Sequence, residues 1–183
     1  NELRKKALDA IDQTAFHPQQ GKNRLYSMIE NRPDWCVSRQ RAWGVPITVF
    51  VHKETGEPLR DQKVVDRIVD AFRKEGADAW FASPATRFLG NEYDPDDFEQ
   101  VRDVVDVWFD SGISHFAVLA THPDLKYPAD IYLEGSDQFR GWFNSALMTA
   151  MAIDGQPPYR QVITHGFTVD AAGRKMSKSL GNV

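Results

Sequence analysis

The sequence predicts an α/β fold built on parallel strands, with a small inserted subdomain. Three observations predict it. Ile131–Leu133 is a short apolar run that stops at Glu134-Gly135, an amphipathic helical stripe follows it, and Gln161–Thr164 supplies a second strand-like run. Strand, helix and strand joined by a crossover of this length imply parallel pairing with a right-handed connection. Upstream, the stretch from roughly 51 to 100 lacks this alternation and reads as the insertion.

The elements follow in order. Leu3, Ala7, Leu8 and Ile11 stand at helical spacing within Glu2–Gln13, and the pattern stops at Phe16-His17-Pro18. A second helix is expected over Lys22–Asn31, with Leu25, Met28 and Ile29 on one face and Pro33 ending it. Ile47–Val51, after Pro46, reads as a strand, and residues 54–58 as a turn. Asp61 is placed to cap a helix whose stripe is Val64, Val65, Ile68, Val69 and Phe72, and Gly76 to stop it. Residues 77–100 read as loop, acidic towards their end, with Asp94–Glu99 a solvated stretch. After Glu134-Gly135, Ser136 is expected to cap a helix carrying Phe139, Trp142, Phe143, Ala146, Leu147 and Ala150, which Gly155, Pro157 and Pro158 break. In parallel sheets ligands sit beyond the carboxyl ends of strands, the position of both Glu134-Gly135 and His165-Gly166.

Composition narrows the function classes. The 183 residues carry 22 Lys and Arg against 26 Asp and Glu, a net charge of −4. Phosphate neutralisation needs clustered Lys and Arg, so a strong nucleic-acid clamp is not expected within these residues. No apolar run approaches the ~20 residues of a membrane span. The single cysteine, Cys36, excludes an internal disulfide and fits a reducing compartment, which points to a cytoplasmic protein. The five histidines show no ligand spacing, and no metal site is expected.

The strongest chemical signal is at the C-terminal end. Arg174, Lys175 and Lys178 place three cations in five residues, with hydroxyls at Ser177 and Ser179 and glycines at 173 and 181. Such a loop can close over a polyphosphate, or it can be a solvated basic tail. Asp106 and Asp110, four apart, could suggest paired carboxylates, but the intervening Val-Trp-Phe reads more simply as buried strand or turn. Arg39 and Arg41 could contact phosphate or support the sheet.

The string Lys175-Met176-Ser177-Lys178-Ser179 matches in every position the KMSKS signature of class I aminoacyl-tRNA synthetases. Other segments resemble the isoleucyl-tRNA synthetase family in particular: Asn31–Pro46, Asp106–Gly112, Leu133–Phe143 and Thr164–Phe167. Valyl and leucyl relatives share the loop and a similar Ser-Arg-Gln segment, but typically lack the Trp-Phe-Asp-Ser-Gly and Glu-Gly-Ser-Asp-Gln combination. One departure is visible: Phe139 stands where the family often has histidine.

The resemblance implies the second half of a Rossmann-like nucleotide-binding domain. Residues 1–50 would be a helical entry and the start of the catalytic core after the editing insertion, 51–100 an inserted connective subdomain, and 101–183 the remainder, ending in the KMSKS loop. It also implies activation of isoleucine with ATP, accompanied by Mg2+ as substrate, and transfer to tRNA(Ile) held mainly by regions outside these residues. Lys178, assisted by Lys175, would neutralise the leaving pyrophosphate, with Met176, Ser177 and Ser179 completing the ATP site. Glu134, Gly135, Asp137 and Gln138, whose acids could otherwise simply complement a helix N-terminus, would bind the aminoacyl-adenylate, and Trp108 and Trp142, which by residue type read as ordinary core, would wall the isoleucine side chain. A slot that separates isoleucine from valine by one methylene discriminates weakly, so editing is expected in the whole protein. The family's His-Ile-Gly-His signature is absent from these residues, so the chain alone is expected to show little or no turnover, to behave as a non-catalytic folded module, and to self-associate through uncovered apolar surface.

Overall fold

The structure, a computed structural model, describes residues 2–183. In chain order its elements are α1 (Glu2–Gln13), β1 (Ala15–His17), α2 (Gln20–Glu30), β2 (Ser38–Arg39), β3 (Phe50–His52), α3 (Gln62–Glu75), α4 (Ala79–Ala82) and α5 (Thr86–Leu89). There follow β4 (Phe98–Gln100), β5 (Val104–Val105), α6 (Val107–Gly112), β6 (Tyr132–Gly135), α7 (Trp142–Ile153) and β7 (Gln161–His165). Two compact units result: the chain up to Trp35 with Trp108–Val183, and Cys36–Val107. The 51–100 stretch lies within the second.

The first unit is the parallel α/β unit that the sequence predicts. Its sheet has the order β1-β7-β6, with both pairs parallel. Val162 of β7 sits between Phe16 of β1 and Tyr132 of β6, and all three are buried. Ala7, Ala10 and Ile11 of α1, Leu25 and Ile29 of α2, and Phe143, Ala146, Leu147 and Met151 of α7 complete this core. The stripe of α1 meets α2 and α7. Phe16-His17 ends the helical pattern as expected, but it does so by becoming a strand paired to β7.

A second difference lies after β6. The predicted continuous helix from Ser136 is two pieces: a 3-10 turn over Ser136–Phe139, then α7 from Trp142. Ser136 therefore does not cap α7. The side chain of Gln138 takes that role, its Oε1 accepting from Trp142 N–H at 3.0 Å. Phe139, freed from the α7 stripe, is buried against Phe16 and Phe143. Its ring also explains Gly21, where a Cβ would fall 2.5 Å from Phe139 Cζ. Packing against Phe16, Phe143 and Gly21 accounts for the aromatic ring at this position.

The second unit has two short antiparallel pairs, β2-β5 and β3-β4. The helix expected over 61–76 forms as α3: Asp61 accepts from Lys63 N–H at 2.7 Å, and Gly76 ends it with φ of 82°. The strand expected over 47–51 is shifted to Phe50–His52, because Pro46 bridges to Val104 and Ile47 N–H donates to Asp103. Residues 77–100 are less loop-like than their composition suggests. Trp80, Phe88 and Leu89 are fully buried with Phe50, Val64 and Ile68 in the unit's own core. Trp80 Nε1–H donates to Val101 O at 2.7 Å, so the indole's polar edge is satisfied inside. Arg39 forms an ion pair with the buried carboxylate of Asp106. That pairing gives Arg39 and Asp106 structural partners in each other.

Candidate functional site

The site is organised by the carboxyl ends of β6 and β7. In register, Glu134 lies beside Thr164 and Gly135 beside His165. The 3-10 turn leaves the sheet at Gly135, and the segment carrying Lys175–Ser179 leaves it at His165. Parallel pairing thus places side by side the carboxyl ends of the two strands that lead to the predicted clusters.

At the β6 end the predicted residues form a chain of contacts. Glu134 is exposed, and its Oε2 accepts from Gly135 N–H at 3.3 Å. A Cβ on Gly135 would meet Asp137 Oδ1 at 2.5 Å, so the glycine makes room for that carboxylate. Gln138 Nε2 donates to Asp137 Oδ2 at 3.2 Å while its Oε1 caps α7. Trp142 is half-buried, stacked on Tyr132 with ring centroids 4.0 Å apart, and its Nε1–H donates to Ser111 O and Ser114 Oγ. Trp108 is exposed and lies over Gly141, where a Cβ would fall 2.8 Å from its ring. Sequence reasoning named all six residues. It did not foresee that Gln138 and Gly141 join the two tryptophans to the turn.

Beside Trp108 is a cavity of about 190 Å3 lined by Arg32, Trp35, Arg140, Gly141, Asn144 and Ser145. Arg32 Nη1–H donates to the buried Asn144 Oδ1 at 2.7 Å, and its guanidinium lies 5.2 Å from the Trp35 ring centroid. Burial lowers the pKa of Arg32 from its ordinary value. Arg32, Trp35 and Asn144 stand more than 100 positions apart in part, which is why no local pattern pointed to them.

At the β7 end the chain turns back on itself. Val169 bridges antiparallel to Lys175, and Met176 N–H donates to Thr168 O at 2.9 Å. Lys175 Nζ stands over the Phe167 ring, 3.5 Å from its centroid. Ser177 Oγ contacts Ser179 Oγ at 3.1 Å and accepts from Leu180 N–H. Arg174 is drawn away from the other cations, because its Nε–H donates to Asp170 Oδ2 at 2.9 Å. Lys175 and Lys178 are exposed, and neither has an acidic partner among the described residues. Asp170 and Asn182, which sequence reasoning did not single out, hold the turn together; an Asp followed three residues later by Gly173 was the turn signal that could have drawn attention to the first.

Among the described residues no helix is long and apolar enough to cross a membrane. The family model for tRNA synthetases class I (I, L, M and V) matches residues 1–183. The chain is 61% identical over 181 residues to the isoleucine–tRNA ligase of Brucella suis, covering 98% of this chain and 18% of that protein. It is 54% identical over 181 residues to that of Pelagibacter ubique, covering 99% and 20%. The chain thus spans about a fifth of the length of the curated relatives it matches. Among solved structures, a LeuRS of Agrobacterium radiobacter in ternary complex with tRNA and LeuAMS matches with a TM-score of 0.54 at 22% identity, over 82% of this chain and 21% of that one. That likeness concerns the fold, a class I α/β core. With its whole length matched by one family model and its relatives more than half identical, the chain belongs to the class I tRNA synthetase family that includes the isoleucine enzymes.

Proposed function

We propose that this segment forms the ATP- and aminoacyl-adenylate-binding part of an isoleucine–tRNA ligase, which activates isoleucine and transfers it to tRNA(Ile). In the first step a carboxylate oxygen of isoleucine attacks the α-phosphorus of ATP. The bond from that phosphorus to the bridging oxygen breaks, and pyrophosphate leaves with the electron pair. In the second, a terminal ribose hydroxyl of the tRNA attacks the acyl carbon and AMP leaves. No covalent enzyme intermediate is needed, so catalysis is alignment plus neutralisation of charge on the leaving group.

The observation that carries this reading is the closed turn after β7. Lys175 and Lys178 have no acidic partners among the described residues, and the strand that leads to them, β7, ends beside the Glu134-Gly135 end of β6. Lys178, assisted by Lys175, supplies the cations for pyrophosphate, with Met176, Ser177 and Ser179 lining the nucleotide. Glu134, Gly135, Asp137 and Gln138 hold the adenylate through its ribose hydroxyls and the substrate ammonium. Trp108 and Trp142 wall an apolar slot for the side chain. One methylene in such a slot is worth only about 1–3 kcal/mol, a magnitude measured on this enzyme family itself. ATP enters with Mg2+ as substrate.

The test is Lys178→Ala in a full-length ligase carrying this segment, read by isoleucine-dependent ATP–pyrophosphate exchange. By analogy with loss of an oxyanion donor, the rate falls roughly 10²–10³-fold. A change smaller than a few-fold overturns the assignment.

A further inference from the structure

Asp170 lies between β7 and the lysines, and its carboxylate receives four donors. Oδ1 accepts from Ala172 N–H and Arg174 N–H, each at 2.9 Å. Oδ2 accepts from Arg174 Nε–H at 2.9 Å and from Asn182 Nδ2–H at 2.8 Å. Asn182 passes the connection on: its Oδ1 accepts from Ser177 N–H at 3.0 Å, and its Nδ2 lies 3.4 Å from Lys175 O. Two side chains twelve residues apart therefore tie the start of the loop, its cationic middle and its end. The Asp170 side chain is only 13% exposed, in a segment whose residues mostly face solvent.

An ionised carboxylate beside a polyphosphate site would repel the ligand if it faced outward. Here the hydrogen bond from Asn182 first, and then the Arg174 N–H, hold the Asp170 carboxyl below the usual carboxylate range. Its charge is spent on Arg174 and on internal amides. Arg174 consequently belongs to the frame of the loop, and the two lysines belong to its ligand-facing function.

We propose that Asp170 and Asn182 are a positioning pair for ATP: their mutual hydrogen bond fixes the loop shape in which Lys175 and Lys178 meet the polyphosphate. The pair touches no reacting atom and acts through the lysines. This inference rests on the reading of the loop as the polyphosphate handler.

The experiment exchanges the two groups in a full-length ligase carrying this segment. Asp170→Asn loses an acceptor opposite Asn182, and Asn182→Asp sets two carboxylates against each other. The double exchange restores one donor and one acceptor across the pair and keeps acceptors for the Ala172, Arg174 and Ser177 backbone amides, while Arg174 Nε–H loses its carboxylate acceptor as it does in Asp170→Asn alone. Each single variant is expected to lower kcat/KM for ATP by on the order of 10–100-fold, as misplacement of groups remote from the chemistry does. KM for isoleucine stays within about twofold, and the double variant recovers the part of the loss that belongs to the 170–182 hydrogen bond, ending above both singles. Single variants within a few-fold of wild type overturn the proposal. So does a double variant no better than the singles, or an equal loss in KM for isoleucine, which marks general damage. Lys178→Ala is measured alongside. If it leaves ATP kinetics unchanged, the loop's function has been misread; if it slows exchange while the Asp170 variants do not, only the positioning pair falls.

Discussion

The Lys175 ammonium stands 3.5 Å from the centroid of the Phe167 ring, so the first lysine of the loop is oriented by an aromatic face and not by an acid. A carboxylate there would compete with phosphate for the same charge; an aromatic quadrupole steadies the cation and leaves it positive. Cation–π contacts at exposed sites are worth about 0.5–1 kcal/mol. Phe167→Leu keeps the apolar bulk and removes the quadrupole. It is expected to lower kcat/KM for ATP about two- to fivefold, with isoleucine kinetics unchanged, in the pyrophosphate-exchange assay of the full-length ligase. An unchanged value would show that the ring does not orient Lys175.

Gly141 offers a second, sharper test. A Cβ there would lie 2.6 Å from Gln138 Oε1 and 2.8 Å from the Trp108 ring. Gly141→Ala therefore has to displace either the cap of α7 or the tryptophan beside it. Overpacking of this kind costs about 1–3 kcal/mol, which chemical denaturation would register. If Trp108 walls the side-chain slot, KM for isoleucine rises more than KM for ATP. Equal changes in both would detach Trp108 from amino-acid recognition.

His115 makes stability depend on pH. The ring is fully buried, and its Nδ1 lies 2.9 Å from Gly112 O, an acceptor, so Nδ1 carries the proton. Nε2 has no hydrogen-bond partner among the described residues and would receive the second proton in the interior. Burial, opposed by the Gly112 carbonyl and by Asp154, lowers the pKa of His115 below the ordinary imidazole value. Above about pH 7 both folded and unfolded chains are neutral here, and the group contributes nothing. As pH falls through about 6.5 the unfolded chain takes up a proton that the folded chain resists, so stability declines until the lowered folded value is reached. Urea midpoints between pH 7.5 and 5.5 test this. His115→Asn keeps a donor towards Gly112 O and cannot titrate, so its curve is flatter across that window even though its stability is lower. Parallel curves would refute the assignment.

Much of this architecture was legible because its signals are local. Asp61 and Gly76 mark the ends of α3 by capping chemistry, and the apolar runs of β6 and β7 are found within a residue or two of their positions. What escaped depends on distant partners. Ala15–His17 is a strand only because β7 offers it a parallel neighbour nearly 150 positions later. Trp80 and Phe88 sit in a polar stretch and become core only when Phe50 and α3 close over them. At the candidate site, the five-residue string drew attention to the loop, and the resemblance named the residues after β6 as candidates. The break at Gly141 was hidden because the apolar stripe runs through it without interruption. Asp170 was hidden for a different reason: an acid near three cations reads as ordinary surface charge until its four donors are seen.

The internal closure of the loop also has an entropic meaning. Fixing the backbone of a residue costs about 1–2 kcal/mol, and a freely fluctuating loop would bear that cost at each encounter with a ligand. Here the amides of Asp170, Ala172, Gly173, Arg174, Met176, Ser177, Leu180 and Gly181 already have acceptors within the segment. At Gly166, next to the strand, a Cβ would meet nothing within 4 Å. The ordering has been met once, during folding, so the segment after β7 presents an assembled surface, and under the proposed function the binding energy of a nucleotide would be left for the transition state.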